Sequence, residues 1–223
     1  MAARANAVSA VVAALVAAAL VASLAQAGDD PIDGAGPVFV PTPPAPQPDG
    51  GTGGDTRQAA AAQAAALAAT EVSDTATAAI TRELAAARSF CGRIVDQDYI
   101  VDCLASEIGD LADRMAESGD YAFVREQIAQ ASRSLSDLAQ ANRAPEKPRV
   151  RARREGAAPQ LSSRPLTPTR AEALDDVLED AANILEEVET TLLRSTQQGD
   201  ERRVHFDRIA EAVGSNKVLL RSL

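Results

Sequence analysis

The chain has 223 residues, a formal net charge of -10, a pI near 4.7 and only 3% aromatic residues, with no tryptophan. An acidic chain so poor in aromatic rings lacks both the positive field and the stacking surface that nucleic acids require, so nucleic acid is excluded as a partner. Its size suits one ordinary domain plus appendages, and its acidity otherwise serves solubility.

Residues 1–27 read as a secretory signal peptide. Arg4 supplies a positive start, Val8 to Leu24 is almost wholly apolar, and Ala25-Gln26-Ala27 fits the small-x-small cleavage rule. No cysteine follows the apolar run, which argues against a lipid anchor. Left uncleaved, the run would be just long enough to span a bilayer, which takes about 20 residues. The expected location is the periplasm or the exterior of a bacterial cell.

Residues 28–55 are rich in glycine and proline, with Val38-Phe39-Val40 as one apolar island. Such a segment buries too little to offset its ordering entropy, so a disordered spacer is expected. A Pro-rich recognition ligand is the alternative for it. From Thr56 or Arg57 the chain turns helical, with a run of alanines through Ala69. Val72, Ala76, Ile80, Leu84, Ala87, Cys91 and Ile94 then step by three or four, one face of a helix.

Cys91 and Cys103, the only two cysteines, organise the middle of the chain. One continuous helix would hold them about 18 Å apart. A disulfide needs Cα atoms roughly 4.4–6.8 Å apart. A chain reversal near Asp96-Gln97-Asp98 solves this, with Gly92 stopping one helix and Asp98 capping the next. The pair then staples a helical hairpin. Redox catalysis favours the Cys-x-x-Cys spacing instead.

A second stripe comes next in Ile100, Leu104, Ile108, Leu111 and Met115. Ser118-Gly119-Asp120 supplies a stop and a cap in one short turn, which predicts an antiparallel neighbour. That neighbour carries Val124, Ile128, Ala131, Leu135 and Leu138. Residues 144–168 break the pattern with five prolines and contain the only dense basic run, Lys147, Arg149, Arg151, Arg153 and Arg154.

The fourth helix is expected from Thr169, with Leu174, Val177, Leu178, Ala181, Ile184, Leu185, Val188 and Leu192 at coiled-coil-like a, d and e positions. Its other face is acidic. Gln198-Gly199-Asp200 reads as a turn, and the last helix as Glu201 to Val213, interrupted by Gly214-Ser215. No stretch alternates long enough for a strand. The expected fold is all-α: an antiparallel bundle of four to five helices over residues 56–223, with one disulfide and a basic Pro-rich loop at 144–168.

Chemistry is sparse. His205 is the only histidine, set among Arg202, Arg203, Asp207 and Arg208, and reads as solvated or salt-bridged. Asp96, Asp98 and Glu107 fall at places 1, 3 and 12 of a calcium loop, but Ile100 and Val101 stand where an oxygen ligand and a glycine are needed. No Gly-x-Ser-x-Gly elbow and no phosphate loop occurs. No enzyme, metal or cofactor is therefore expected.

Two functions fit. One is a non-enzymatic envelope scaffold or protein-interaction module whose partner is another envelope protein. The other is a small-ligand carrier with a pocket between helices lined by Met115, Tyr121 and Phe123. The basic run is the candidate interaction surface. It either lies along acidic helices of its own chain, with Asp175, Asp176, Glu179 and Asp180 offered by helix four, or docks a partner or anionic lipid.

Overall fold

The computed structural model describes residues 52–154, 160–195 and 200–223. The expected signal peptide, nearly all of the 28–55 spacer and the Gln198-Gly199 pair lie outside those residues. Six helices are described: α1 Thr52–Leu67, α2 Asp74–Cys91, α3 Ile100–Arg114, α4 Ala122–Ala141, α5 Leu174–Ser195 and α6 Asp200–Arg221. None is long and apolar enough to cross a membrane.

Helices α2 to α6 form a closed ring, in which each packs on the next and α6 returns to α2. Helix α1 packs on α2 outside the ring. The stripes read from the sequence line the inside: Ile80, Leu84, Ile100, Leu104, Leu111, Ile128, Leu135, Leu185 and Leu192 are all buried. Consecutive helices run antiparallel. Ser132 Oγ donates to Ala105 O at 2.7 Å between α3 and α4, and Lys217 pairs with Glu189 at 2.6 Å between α5 and α6. A ring of five cannot alternate all the way round, so one neighbouring pair must be parallel. That pair is α2 and α6, joined by Thr77 to His205 near their starts and by Leu84 to Asn216 further along.

The first helical stretch is not continuous. It breaks between Leu67 and Asp74, where the Ser73 side chain accepts from Ala76 N at 3.2 Å and caps α2. The break tucks into the α3–α4 turn, with Asp120 N donating to Thr70 O at 2.7 Å. Gly119 at φ 95° permits that contact, because a Cβ there would run into the Thr70 carbonyl. Helix α1 also starts four residues earlier than expected, at Thr52.

The expected interruption at Gly214-Ser215 does not occur, and α6 continues to Arg221. A mid-helix glycine costs about 1 kcal/mol relative to alanine. Here it makes room for a neighbour: a Cβ on Gly214 would sit 2.8 Å from the Glu189 carboxylate on α5.

Residues 144–154 and 160–168 form a strap across one end of the ring. The strap is an irregular antiparallel ribbon. Val150 bridges to Leu166, and β1 Arg153–Arg154 pairs with β2 Gln160–Leu161. Sequence alternation did not signal these pairs, because two-residue strands are too short to show any period.

Candidate functional site

The strap end of the ring begins at the disulfide. Cys91 and Cys103 are bonded with Cα atoms 5.7 Å apart. Helix α2 ends at Cys91, with Gly92 in a right-handed conformation at φ -67°. Its service is again space, since a Cβ would lie 2.9 Å from Arg88 O and 3.1 Å from the Leu219 side chain. The expected capping role of Asp98 falls to Asp96, which accepts from Asp98 N at 3.3 Å and starts a short 3-10 turn, Gln97–Tyr99. Asp98 is buried and turns its carboxylate to the strap.

The strap is held down largely by its basic residues. Lys147 bridges Asp96, at 3.0 Å, and Asp98. Hydrogen bonds to those two carboxylates, Asp98 first, raise the Lys147 pKa above its ordinary value. Arg154 pairs with Glu107 on α3 and lies 4.6 Å over the Phe90 ring. Burial raises the Glu107 pKa more than Arg154 lowers it. Arg149 donates to Gln140 Oε1 at 2.8 Å, and Arg151 to Ser162 O at 3.1 Å. Arg153 has no hydrogen-bond or ion-pair partner for its side chain among the described residues. Of the basic run, Lys147 and Arg154 thus meet acids of their own chain, on the 96–98 turn and on α3. The run makes no ion pair with the expected partners on helix four, Asp175, Asp176, Glu179 and Asp180, among the described residues.

The strap's one two-point guanidinium–carboxylate pair among the described residues lies outside the basic run. Arg164 grips the fully buried Asp102 with both guanidinium nitrogens, at 2.6 and 2.7 Å. Thr167 N also donates to Asp102, at 2.6 Å. The Asp102 hydrogen bond raises the Arg164 pKa, so the cation is fixed. The sequence held one hint: Asp102 interrupts the apolar run from Tyr99 to Ala105, where a lone carboxylate would need a cation.

Between strap and turn lies an open cleft of about 400 Å³. Phe90, Ile94, Val150 and Leu166 line its apolar part, and Arg93, Asp96, Tyr99, Ala152 and Arg153 complete it. Its walls are braced. Tyr99 donates its hydroxyl to Pro148 O at 2.8 Å, and Thr169 N donates to Asp98 O at 2.8 Å. Burial first, then nearby Asp96, raises the Tyr99 pKa above its ordinary value of 10.0. Exposed apolar groups stand nearby: Val95, 99% exposed on the turn, and Leu161, 58% exposed on the ribbon.

No protein-family model matches this chain, and no curated protein and no solved structure matches it either. The reading of the site therefore rests on its geometry.

The residues expected to line an interhelical pocket do other work. Met115 and Tyr121 are buried at the other end of the ring, and Phe123 is partly exposed. The Tyr121 hydroxyl meets Thr77 Oγ1 at 2.7 Å and donates to Ser73 O at 3.1 Å, so it ties α4 to the start of α2. His205, expected to be solvated or salt-bridged, is half-buried and joins this network through Nδ1, 2.8 Å from Thr77 Oγ1. The ring's axis is nearly filled. A space of about 10 Å³ among Leu84, Ile108, Ile128, Leu185, Val213 and Asn216 holds at most one water.

The three carboxylates with calcium-loop spacing are held by cations of the strap, Asp96 and Asp98 by Lys147 and Glu107 by Arg154. Among the described residues no cluster of three or more His, Cys, Asp or Glu is arranged to hold a metal.

Proposed function

We propose that this chain is an exported, non-enzymatic interaction module of the cell envelope, and that the cleft between the strap and the disulfide turn is where its partner docks. The observation that carries the reading is the contrast between a filled ring axis and a several-hundred-Å³ cleft open on the surface. A carrier encloses most of its ligand, whereas an open, braced cleft suits a protruding piece of another protein.

The lining chemistry agrees with a binding role. Of its ionisable groups, Asp96 is engaged by Lys147 and the Tyr99 proton is given to Pro148 O. That leaves two arginines and no base or nucleophile to drive a reaction. Export is supported by the sequence of residues 1–27 and by a buried disulfide, which persists in oxidising compartments.

The test is site-specific photo-crosslinking in the producing cell, with the crosslinker replacing exposed Leu161, which pairs with Arg153 across the ribbon beside the cleft, or, as a control, exposed Leu223. A discrete protein adduct from position 161 alone, in the envelope fraction, is the expected result. Equal labelling at both positions, or recovery in the cytoplasm, would overturn the proposal.

A further inference from the structure

We infer that the cleft receives an acidic peptide segment that inserts an apolar side chain between carboxylates. The inference deepens the proposed function and rests on its reading of the cleft as the docking site.

The cations left without a carboxylate point to the ligand. The protein has 32 acidic and 22 basic residues, so an arginine has carboxylates in plenty to choose from. Around the strap Lys147 is taken by Asp96 and Asp98, Arg154 by Glu107 and Arg164 by Asp102, while Arg149 and Arg151 spend their donors on Gln140 and Ser162 O, away from the cleft lining. Arg93 and Arg153 both line the cleft, both are exposed, and neither meets a carboxylate among the described residues. Arg93 donates to Ser89 Oγ, at 2.9 Å. An acidic molecule thus presents a small positive mouth over an apolar floor of Phe90, Ile94, Val150 and Leu166.

Guanidinium groups match carboxylates in a planar, two-point geometry, so two of them at the mouth select an anion with at least two carboxylates. The apolar floor selects a neighbour for those carboxylates that gains by leaving water. Val95, 99% exposed between the lining residues Ile94 and Asp96, offers a further apolar contact to a ligand that reaches beyond the cleft. A peptide with a leucine or phenylalanine between acidic residues meets all three conditions.

Other anions fit less well. Lipid recognition uses clusters of about 4–8 basic residues. Here only Arg93 and Arg153 line the cleft as cations without a carboxylate among the described residues, and the chain's net charge of -10 repels an anionic bilayer. Nucleic acid needs open rings for stacking, but Phe90 is covered by Arg154 and Tyr99 is buried.

The test uses the full-length chain and a fluorescein-labelled heptapeptide of alternating glutamate and phenylalanine, read by anisotropy. Three other labelled probes run beside it: the same peptide with glutamine for glutamate, one with alanine for phenylalanine, and phosphatidylglycerol vesicles. The glutamate–phenylalanine peptide is expected to bind best. The doubly substituted protein Arg93→Gln/Arg153→Gln should weaken it about tenfold or more. Its melting temperature should stay unchanged, because neither side chain loses an ion pair. Ala152→Phe, which fills the cleft, should also remove binding.

Equal binding of the glutamine peptide, equal binding to the doubly substituted protein, or a preference for vesicles would overturn the inference. So would no binding of any peptide. A protein adduct from position 161 in the cell would still leave the cleft as a docking site in those cases, so the two ideas fail separately.

Discussion

Arg164 and Asp102 are joined by two hydrogen bonds at 2.6 and 2.7 Å, and the Asp102 side chain is wholly out of water. Asp102 sits one residue before a disulfide cysteine, while Arg164 belongs to the strap. The pair therefore ties the strap to the first turn of α3. Removing the cation would leave a buried carboxylate with Thr167 N as its main donor. Arg164→Ala is expected to cost about 3 kcal/mol in urea unfolding, in the range for one lost partner of a buried pair. Arg153→Ala, by contrast, should stay within about 0.5 kcal/mol of wild type, as surface changes do. Equal effects would refute this account of what holds the strap.

The strap should loosen in alkali. The Tyr99 and Lys147 pKa values are both raised in the folded protein. A raised value means that the native state holds its proton longer than the unfolded chain does. The resulting stability is complete below the unfolded values of 10.0 and 10.5 and is lost as pH rises through the folded ones. Spectrophotometric titration should find Tyr99 ionising above pH 10, and Tyr99→Phe should remove that component. A titration curve left unchanged above pH 10 by the substitution would count against it.

Glu107 gives the matching effect in acid. Its folded pKa is raised from 4.5, chiefly by burial, so the native state binds the proton more tightly. Its contribution is complete below 4.5 and is lost as pH rises through the higher folded value. Stability measured from about pH 4 to 7 should carry a smaller downward component in Glu107→Gln than in wild type. An unchanged slope would mean that Arg154 offsets the burial fully.

The disulfide closes a short loop, at a sequence separation of 12. Loop entropy assigns such a bridge roughly 2–3 kcal/mol. Both cysteines are fully buried, so mild reductant should leave the native protein oxidised for long periods. The Cys91→Ser/Cys103→Ser protein should fold with lower stability and weaker cleft binding, because Gly92 and the 96–98 turn lose their tether. Unaltered urea midpoints would show that the hairpin is held by packing alone.

Gly119 should tolerate no side chain. Its φ of 95° is one that residues with a Cβ avoid, and the Thr70 carbonyl occupies the space a Cβ would take. Gly119→Ala is expected to cost more than about 1 kcal/mol. A neutral result by thermal melting would mean that the α1–α2 break can shift away freely.

Much of the fold was legible in the sequence. Apolar steps of three and four marked α2 through α5, because a helix that buries one face must repeat on its own period. The disulfide was legible too: a spacing of 12 with a glycine and two aspartates between left a reversal as the only way to bring the cysteines together. The break before α2 was harder to see, because alanine-rich sequence favours helix on either side of Ser73 and only the cap betrays the end. The continuation of α6 through Gly214 was misleading for the opposite reason, since the glycine serves a neighbouring helix and not its own.

The sequence by itself determined the helices, their inward faces, the staple and the position of the basic run. Tertiary structure alone decided which acids that run would meet. Periodicity acts over a few residues, so it can be read along the chain. Ion pairs such as Arg164 with Asp102 join positions whose sequence separation is 62, and they depend on which helix ends the ring brings together. Those charges were equally available to α5. The path of the strap gave them to α3 and the 96–98 turn, and left Arg93 and Arg153 at the mouth of the cleft.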